Sequence, residues 1–277
     1  MNKEKAISIL NQYDLDAQKR YGQNFLCDED VIQSIIDVAQ IQDNCDVLEI
    51  GPGIGALTEK VAAMNARFLC VEIDSRFKSH LSDVLSGENQ CLLIRDYLET
   101  SKKDMCACIE GFSPEVVLSN LPYYIMTPLI LKVISDFSSA QRMVFMVEEE
   151  ALARIFAQPS TKEYGPLSVV TSVFGKKDKC FTVPCQSFIP APHTTSAVIS
   201  LTCNGSHRVD EAFVSFVEAA FSLRRKTMMN SLSSSGKYGD KKQILSVLES
   251  VSIPENVRAE ALSPNDFVRI FDAMNQK

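Results

Sequence analysis

The chain has 277 residues, of which 45% are hydrophobic and 23% are charged, the proportions of an ordinary globular protein. No apolar run approaches the roughly 18 residues that a membrane-spanning helix requires, and the polar residues at positions 1–5 do not resemble a signal peptide, so we expect a cytoplasmic protein that does not bind membranes. The chain contains nine cysteines but no C-x-x-C pair, and its three histidines are scattered, which argues against a metal site.

The net charge of −7 is unevenly distributed along the chain. Residues 1–174 hold 15 basic and 25 acidic residues, whereas residues 175–277 hold 13 basic and 10 acidic residues. In the second part the basic residues form short clusters, such as Arg224-Arg225-Lys226. Because local basic patches attract phosphate regardless of net charge, this part is the better candidate for contact with a nucleic acid, although a solvated helix face would have the same composition.

Taken in chain order, the first half of the sequence alternates between helical and extended patterns. Helices are predicted over residues 28–40, where apolar residues recur at helical spacing behind an acidic first turn, and over residues 56–66. The short apolar runs typical of buried strands are residues 46–50, 67–74, 90–94, 115–119 and 143–147. Strands that alternate with helices predict an α/β fold with a doubly wound, mainly parallel sheet of the Rossmann-like type.

After about residue 203 the pattern becomes helical. Amphipathic helices are predicted over residues 210–223 and 241–251, and another is expected to begin near Asn265, after the start signal Ser263-Pro264. We therefore predict two domains. Residues 1–203 would form a ligand-binding sheet domain, and residues 204–277 a small all-α domain.

A glycine-rich loop follows the first predicted strand. Gly51 and Gly53 allow a tight turn and a close approach of the backbone to a ligand. Glu72 ends the next strand, 21 residues beyond Gly51, where a carboxylate can hold ribose hydroxyls. Nicotinamide-dependent oxidoreductases and methyltransferases both have this arrangement, and a purely structural loop would also fit. Asp96, after the third strand, is suited either to accept a hydrogen bond from an adenine amine or to cap a turn.

The sequence Asn120-Leu121-Pro122-Tyr123 follows the fourth predicted strand and favours a methyltransferase. An aromatic amine is a poor nucleophile because its lone pair is delocalised into the ring. Acceptors such as the Asn120 side chain and the Leu121 carbonyl would localise that lone pair. Pro122 would rigidify the turn, and Tyr123 would stack on the base. No strong general base is needed, so catalysis would depend on proximity, alignment and electrostatics.

With these residues the chain resembles the ribosomal RNA adenine-N6,N6 dimethyltransferases, the kasugamycin-sensitivity dimethylases of the small ribosomal subunit. The resemblance covers nearly the whole chain and is carried by segments in a specific order. These are residues 19–26 (KRYGQNFL), 49–58 (EIGPGIGALT), 71–74 (VEID), 120–124 (NLPYY), 164–169 (YGPLSV), 188–192 (FIPAP), 221–232 (FSLRRKTMMNSL) and 258–268 (RAEALSPNDFV).

The resemblance implies a class I methyltransferase fold, S-adenosylmethionine as the cofactor, and a role for particular residues. Glu72 would hold the ribose and Asp96 the adenine amine, while Phe188 would hold the target adenine against Tyr123. The full set implied for cofactor binding is Asn24, Leu26, Gly51, Gly53, Glu72, Asp96 and Asn120. The catalytic set is Asn120, Leu121, Pro122, Tyr123 and Phe188, and the residues implied to contact RNA are Arg224, Arg225 and Lys226.

The resemblance also implies a substrate: two adjacent adenines near the 3′ end of small-subunit (16S) RNA, methylated in the immature subunit during ribosome biogenesis. The chain departs from the family pattern at His193-Thr194-Thr195 and at Glu148-Glu149, and both departures lower the local positive charge. Three alternatives stay open: a macrolide-resistance dimethylase of large-subunit RNA, an RNA-binding assembly factor, and a dinucleotide-dependent oxidoreductase. Nothing in the sequence requires more than a monomer.

Overall fold

The computed structural model describes residues 1–17, 23–122, 125–205, 209–223 and 225–275. Three parts of the predicted sites lie outside the described residues. They are residues 19–22 of the N-terminal segment, Tyr123 of the predicted catalytic turn and Arg224 of the basic cluster.

The chain divides into two compact units. The first, which we call the sheet unit, comprises Met1–Leu129, Ser139–Glu149 and Lys177–Cys203. The second, the helical unit, comprises Ile130–Ser138, Glu150–Lys176 and Asn204–Lys277.

The described strands and helices have the following bounds. The strands are β1 (Phe25–Leu26), β2 (Asp46–Ile50), β3 (Arg67–Glu72), β4 (Gln90–Ile94), β5 (Val116–Asn120), β6 (Arg142–Glu148), β7 (Gly175–Val183), β8 (Phe188–Ile189) and β9 (Ser196–Cys203). The helices are α1 (Lys3–Gln12), α2 (Glu29–Ala39), α3 (Thr58–Ala62), α4 (Lys78–Val84), α5 (Lys102–Cys106), α6 (Met126–Asp136), α7 (Leu152–Ile155), α8 (Pro166–Phe174), α9 (Glu211–Phe221), α10 (Met228–Ser234), α11 (Lys241–Ser250) and α12 (Pro264–Asn275).

The central sheet has seven strands in the order β4-β3-β2-β5-β6-β9-β7. The five strands from β4 to β6 are parallel to their neighbours, and β9 pairs antiparallel with β6. From β2 the chain runs outward to β3 and β4 on one side, and then crosses to β5 and β6 on the other. The carboxyl ends of β2 and β5 therefore flank the switch point of the sheet, which is where such folds bind ligands.

The predicted fold class is confirmed, and the five predicted strands are present within two residues of their expected bounds. The helix predicted over residues 56–66 is shorter than expected, since α3 spans only Thr58–Ala62. Residues 53–57 form turns instead, because the glycines of this loop adopt left-handed backbone conformations that a helix does not contain. The structure also contains helix α10, which lies between the helices predicted over residues 210–223 and 241–251.

Helix α2 shows how the sequence pattern produces packing in the sheet unit. The side chain of Asp28 caps the helix by accepting a hydrogen bond from the backbone N–H of Val31, at 3.3 Å. Ile32, Ile35 and Ile36 lie on one face and are buried in the core. Each buried isoleucine stabilises the fold by about 2 kcal/mol relative to an exposed one. The helix thereby anchors the chain immediately after β1, whose two residues line the site described below.

The helical unit is built around aromatic side chains. Phe216 of α9 packs against Phe267 and Phe271 of α12, with ring centroids 6.4 and 5.4 Å apart. Phe221, at the end of α9, stacks on Phe267 at 5.6 Å. Helix α8 also belongs to this unit and packs against α9 and α12. The apolar stripes of these helices therefore bury one another, as expected for an all-α core.

The predicted domain boundary after residue 203 coincides with one edge of the helical unit. That unit also contains α7, α8 and part of α6, which precede the predicted boundary, because α8 packs against the C-terminal helices. The assignment of residues 1–203 and 204–277 as separate domains stays a prediction. Within the described residues, no helix combines the length and apolar character needed to span a membrane.

Candidate active site

A cavity of about 90 Å³ lies at the carboxyl ends of β2, β3 and β5 in the sheet unit. Eight residues that the sequence analysis assigned to cofactor binding or catalysis line it together, although they are up to 98 positions apart in the chain. They are Asn24, Leu26, Gly51, Gly53, Glu72, Asn120, Leu121 and Pro122. The lining also includes Gln23, Glu49 and Ile73. The parallel strands bring these residues to one edge of the sheet.

The glycine loop forms the floor of the cavity. Gly51 has a φ angle of 71° and Gly53 of 56°, a left-handed conformation that residues with a Cβ rarely adopt. A Cβ placed on Gly51 would have no heavy atom within 4 Å, so this glycine borders open space. A Cβ on Gly53 would instead meet the Phe25 ring at 3.4 Å. The loop therefore offers bare backbone to a ligand at Gly51 and close packing with β1 at Gly53.

Glu72 is buried at the end of β3 with both carboxylate oxygens hydrogen-bonded to backbone. Its Oε2 accepts a hydrogen bond from the N–H of Gly53 at 2.9 Å, and its Oε1 accepts one from the N–H of Asp74 at 2.8 Å. Burial raises the pKa of Glu72, and these two hydrogen bonds offset only part of that effect. A carboxylate has about four acceptor positions, so lone pairs remain for hydrogen bonds from a ligand such as a vicinal diol.

Glu49 lies beside Glu72 and is a titratable residue whose role the sequence analysis did not identify. Its side chain is 2% exposed, and its Oε2 accepts a hydrogen bond from the hydroxyl of Thr58 at 2.8 Å. Burial raises the pKa of Glu49 to about 7, although hydrogen bonds from Thr58 and Cys70 act in the opposite direction. The sequence does contain a signal that could have identified Glu49 as a residue of interest. It is a carboxylate in the otherwise apolar centre of strand β2, whose five residues are all buried.

Asn120 is the last residue of β5, and its side-chain amide points toward the N-terminal segment. The Nδ2 of Asn120 donates a hydrogen bond to the backbone carbonyl of Asn24 at 3.2 Å. The next residue, Leu121, donates its backbone N–H to the carbonyl of Met146 in β6 at 3.0 Å. These two bonds fix the turn, and they leave the Oδ1 of Asn120 as the acceptor of that amide.

Asp96 and Phe188 occupy different positions from the other predicted residues. Neither Asp96 nor Phe188 is among the described residues that line the cavity. The carboxylate of Asp96 accepts a hydrogen bond from the N–H of Leu98 at 2.8 Å and so caps the turn after β4. Phe188 is 2% exposed and lies in β8, opposite Leu26 of β1. Their assignments, to adenine binding and base stacking, stay predictions.

The two departures from the family pattern are in contact with each other. The hydroxyl of Thr194 donates a hydrogen bond to Glu148 at 3.0 Å, and the backbone N–H of Glu149 donates one to the carbonyl of Thr195 at 2.9 Å. The carboxylate of Glu149 also forms an ion pair with Lys179 at 2.7 Å. The two sequence changes are therefore one structural feature at the end of β6, and Lys179 neutralises part of its negative charge.

The helical unit contains a separate cavity of about 270 Å³. Lys226 of the predicted RNA-binding cluster lines it, together with Tyr164 and Phe221, whose rings meet edge to face with centroids 6.0 Å apart. Arg225, the preceding residue, is exposed to solvent. The structure thus places two of the three predicted basic residues at or near the surface, and the third, Arg224, lies outside the described residues.

Comparison with known proteins identifies relatives along nearly the whole chain. Residues 15–276 match the family model described as "Ribosomal RNA adenine dimethylase". The "Ribosomal RNA small subunit methyltransferase A" of Streptococcus thermophilus is 36% identical over 279 residues, which cover 97% of this chain and 96% of the relative. The protein of the same name from Geobacillus thermodenitrificans is 37% identical over 276 residues, or 96% of this chain and 94% of the relative.

Solved structures show the same likeness. The crystal structure of a dimethyladenosine transferase from Plasmodium falciparum superposes with a TM-score of 0.69 at 26% identity, covering 91% of this chain and 98% of that one. The 23S rRNA methyltransferase ErmE has a TM-score of 0.57 at 24% identity, with 91% of this chain and 100% of that one covered, a level that shows a shared fold.

Proposed function

The chain belongs to the ribosomal RNA adenine dimethylase family, and from this premise we propose that it dimethylates the N6 amine of adenines in small-subunit ribosomal RNA. The cofactor is S-adenosylmethionine. The observation that carries the proposal is the convergence of the glycine loop, Glu72 and Asn120 on one cavity. We further propose that the substrate is a pair of adjacent adenines near the 3′ end of the 16S RNA, as the family resemblance implies.

The residues around the cavity fit the cofactor. Gly51 borders open space that a side chain would fill, and Glu72 has lone pairs suited to two ribose hydroxyls. When bound, S-adenosylmethionine supplies an electrophilic methyl group on a sulfonium. Asn24 and Leu26 also line the cavity and would close over the cofactor.

Asn120 would act on the adenine amine through its side-chain oxygen. With Nδ2 donating to the carbonyl of Asn24, Oδ1 is available to accept a hydrogen bond from one amine hydrogen, and the Leu121 carbonyl can accept the other. Both bonds localise the nitrogen lone pair and direct it at the methyl group. The proton that leaves after methylation becomes acidic once the nitrogen is alkylated, so alignment and electrostatics provide most of the catalysis.

The remaining contacts with RNA are assigned from the resemblance. Tyr123 would stack on the target adenine, and Phe188 would cover its other face, which requires the short β1–β8 pair to shift because Phe188 is buried. Arg224, Arg225 and Lys226 would neutralise phosphates of the same RNA. We propose that the protein acts as a monomer, since nothing in the sequence requires a partner subunit. We expect the protein in the cytoplasm, with the immature small subunits that it would modify.

A methyl-transfer assay tests this function directly. Small subunits whose RNA lacks dimethyladenosine, and large subunits as a comparison, would be incubated with the protein and tritiated S-adenosylmethionine, followed by nucleoside analysis of each RNA. We expect dimethyladenosine in the small-subunit RNA only. Label in the large-subunit RNA would instead favour the macrolide-resistance type of activity. An absence of label despite confirmed cofactor binding would favour an assembly factor that binds RNA without modifying it.

A further inference from the structure

Four side chains form a hydrogen-bonded group next to the cavity, which Gln23 also lines. We call this group the Arg76 clasp: Asp16, Gln23, Asp74 and Arg76. The guanidinium of Arg76 donates to both carboxylate oxygens of Asp74, with its Nη2 at 2.6 Å and its Nε at 3.0 and 3.1 Å. It also donates to the side chain and the backbone carbonyl of Asp16, at 2.7 and 3.2 Å. Arg76 thus holds two segments of the chain that are far apart in sequence.

The clasp connects to both halves of the candidate active site. On one side, the backbone N–H of Asp74 donates to Glu72, the proposed ribose ligand, at 2.8 Å. On the other, the Nε2 of Gln23 donates to Asp74 at 3.2 Å. The carbonyl of the next residue, Asn24, accepts the hydrogen bond that orients the Asn120 amide. Glu72 and Asn120 are therefore joined by one series of bonds that runs through Asp74 and the 23–24 segment.

The charges of the clasp make it a stiff support. Asp74 is only 3% exposed, and its partner Arg76 is 30% exposed. Burial acts to raise the pKa of Asp74, but the hydrogen bonds from Arg76 and Gln23 outweigh it and lower that pKa below its ordinary value. A planar guanidinium that binds a carboxylate through two nitrogens fixes both distance and orientation, which a lysine ammonium does not. Small displacements of Gln23 are therefore resisted.

We propose that Arg76 is a positioning residue that acts through Asp74 and Gln23 to hold Glu72 and the Asn120 amide in their productive arrangement. Arg76 does not line the cavity formed by the described residues, so it would act without touching cofactor or substrate. This inference rests on the proposed function of the cavity. It predicts that cofactor affinity and methyl transfer both depend on Arg76, since one clasp supports both sites.

The chain offers a matched control for this proposal. Arg67 and Asp46 form a comparable pair at the opposite, amino ends of β3 and β2, where Arg67 Nε and Nη2 donate to the carboxylate at 2.5 and 2.6 Å. Arg67 is 32% exposed and Asp46 is 6% exposed, close to the values for Arg76 and Asp74. Arg67→Gln and Arg76→Gln therefore remove the same kind of bond from a similarly buried carboxylate, at opposite ends of the same strands.

The test compares these two variants with the wild type by thermal melting, by calorimetric titration with S-adenosylhomocysteine, and by methyl transfer to undermethylated small subunits. We expect both variants to lose similar thermal stability. Only Arg76→Gln should raise the dissociation constant for S-adenosylhomocysteine, by about tenfold, and lower kcat, by about 100-fold. Gln23→Ala should cause part of the same loss, and the double variant should lose less than the product of the two single effects.

Each outcome decides between the proposal and a merely structural role. If Arg76→Gln matches Arg67→Gln in both affinity and kcat, Arg76 is not a positioning residue, and the proposed function is unaffected. If the wild type binds S-adenosylhomocysteine but methylates no ribosomal RNA, the proposed function fails, and the affinity comparison still decides the role of Arg76. If Arg76→Gln does not fold, Gln23→Ala takes its place, and wild-type affinity and kcat in that variant refute the proposal.

Discussion

Glu49 makes the stability of the protein depend on pH in a direction that is unusual for a carboxylate. Its pKa of about 7 lies above the ordinary value of 4.5 because the side chain is fully buried. Each pK unit corresponds to about 1.4 kcal/mol, so ionising Glu49 destabilises the folded state by about 3 kcal/mol. The unfolded chain loses this proton first as the pH rises. The contribution of Glu49 to stability is therefore fully present below pH 4.5 and is lost as the pH rises through about 7.

Replacing Glu49 by Gln removes the ionisation and should flatten this dependence. The hydroxyl of Thr58 can still donate to the amide oxygen, as it now donates to Oε2 at 2.8 Å. Urea unfolding followed by circular dichroism would be measured for both proteins at about pH 5.5 and about pH 8. The wild type should lose about 2 kcal/mol more unfolding free energy over this interval than the variant. Parallel losses in the two proteins would refute the idea that Glu49 titrates near neutral pH while buried.

Three further variants test the residues assigned to catalysis, cofactor binding and RNA contact. Asn120→Ala should lower kcat by about 100-fold or more, while the affinity for S-adenosylhomocysteine, measured by calorimetry, stays close to that of the wild type. Wild-type turnover in this variant would remove Asn120 from the mechanism. Gly51→Ala places a Cβ on a backbone with a φ of 71° and should destabilise the fold by about 1 to 2 kcal/mol. This loss is measured as a lower melting temperature, and an unchanged melting temperature would contradict the left-handed conformation of Gly51. Replacing Arg225 and Lys226 together by Ala should weaken RNA binding and reduce the slope of log affinity against log salt by about one to two; identical slopes would exclude phosphate contacts by this pair.

Much of the site is predictable because the relevant information is local in the sequence. Strand β5 and the turn that begins at Asn120 are marked by an apolar run that stops at polar and proline residues. In a parallel sheet such strand ends meet at one edge, so the sequence alone is sufficient to group Gly51, Glu72 and Asn120. All three residues line the cavity, and the family resemblance, confirmed by the comparisons, identifies the cofactor.

Other features depend on contacts between residues that are distant in sequence. The insertion of β9 between β6 and β7 follows from pairing across about 50 residues, and a strand pattern alone does not specify its partner. The membership of α8 in the helical unit arises from packing against α9 and α12, which form later in the chain. The burial of Phe188 likewise depends on the β1–β8 pair, whereas its motif predicted a side chain that meets the substrate.

The sequence by itself determined the class of the fold, the loop that we propose meets the cofactor and the turn that we propose meets the base, because strand periodicity, glycine conformation and amide chemistry are properties of neighbouring residues. Only the tertiary structure decided that Glu49 is a buried acid with a pKa of about 7, and that Arg76 joins Asp16 to Asp74, which in turn binds Gln23 next to the cavity. Desolvation and hydrogen bonding depend on what surrounds a side chain in space, and that environment exists only after the chain has folded.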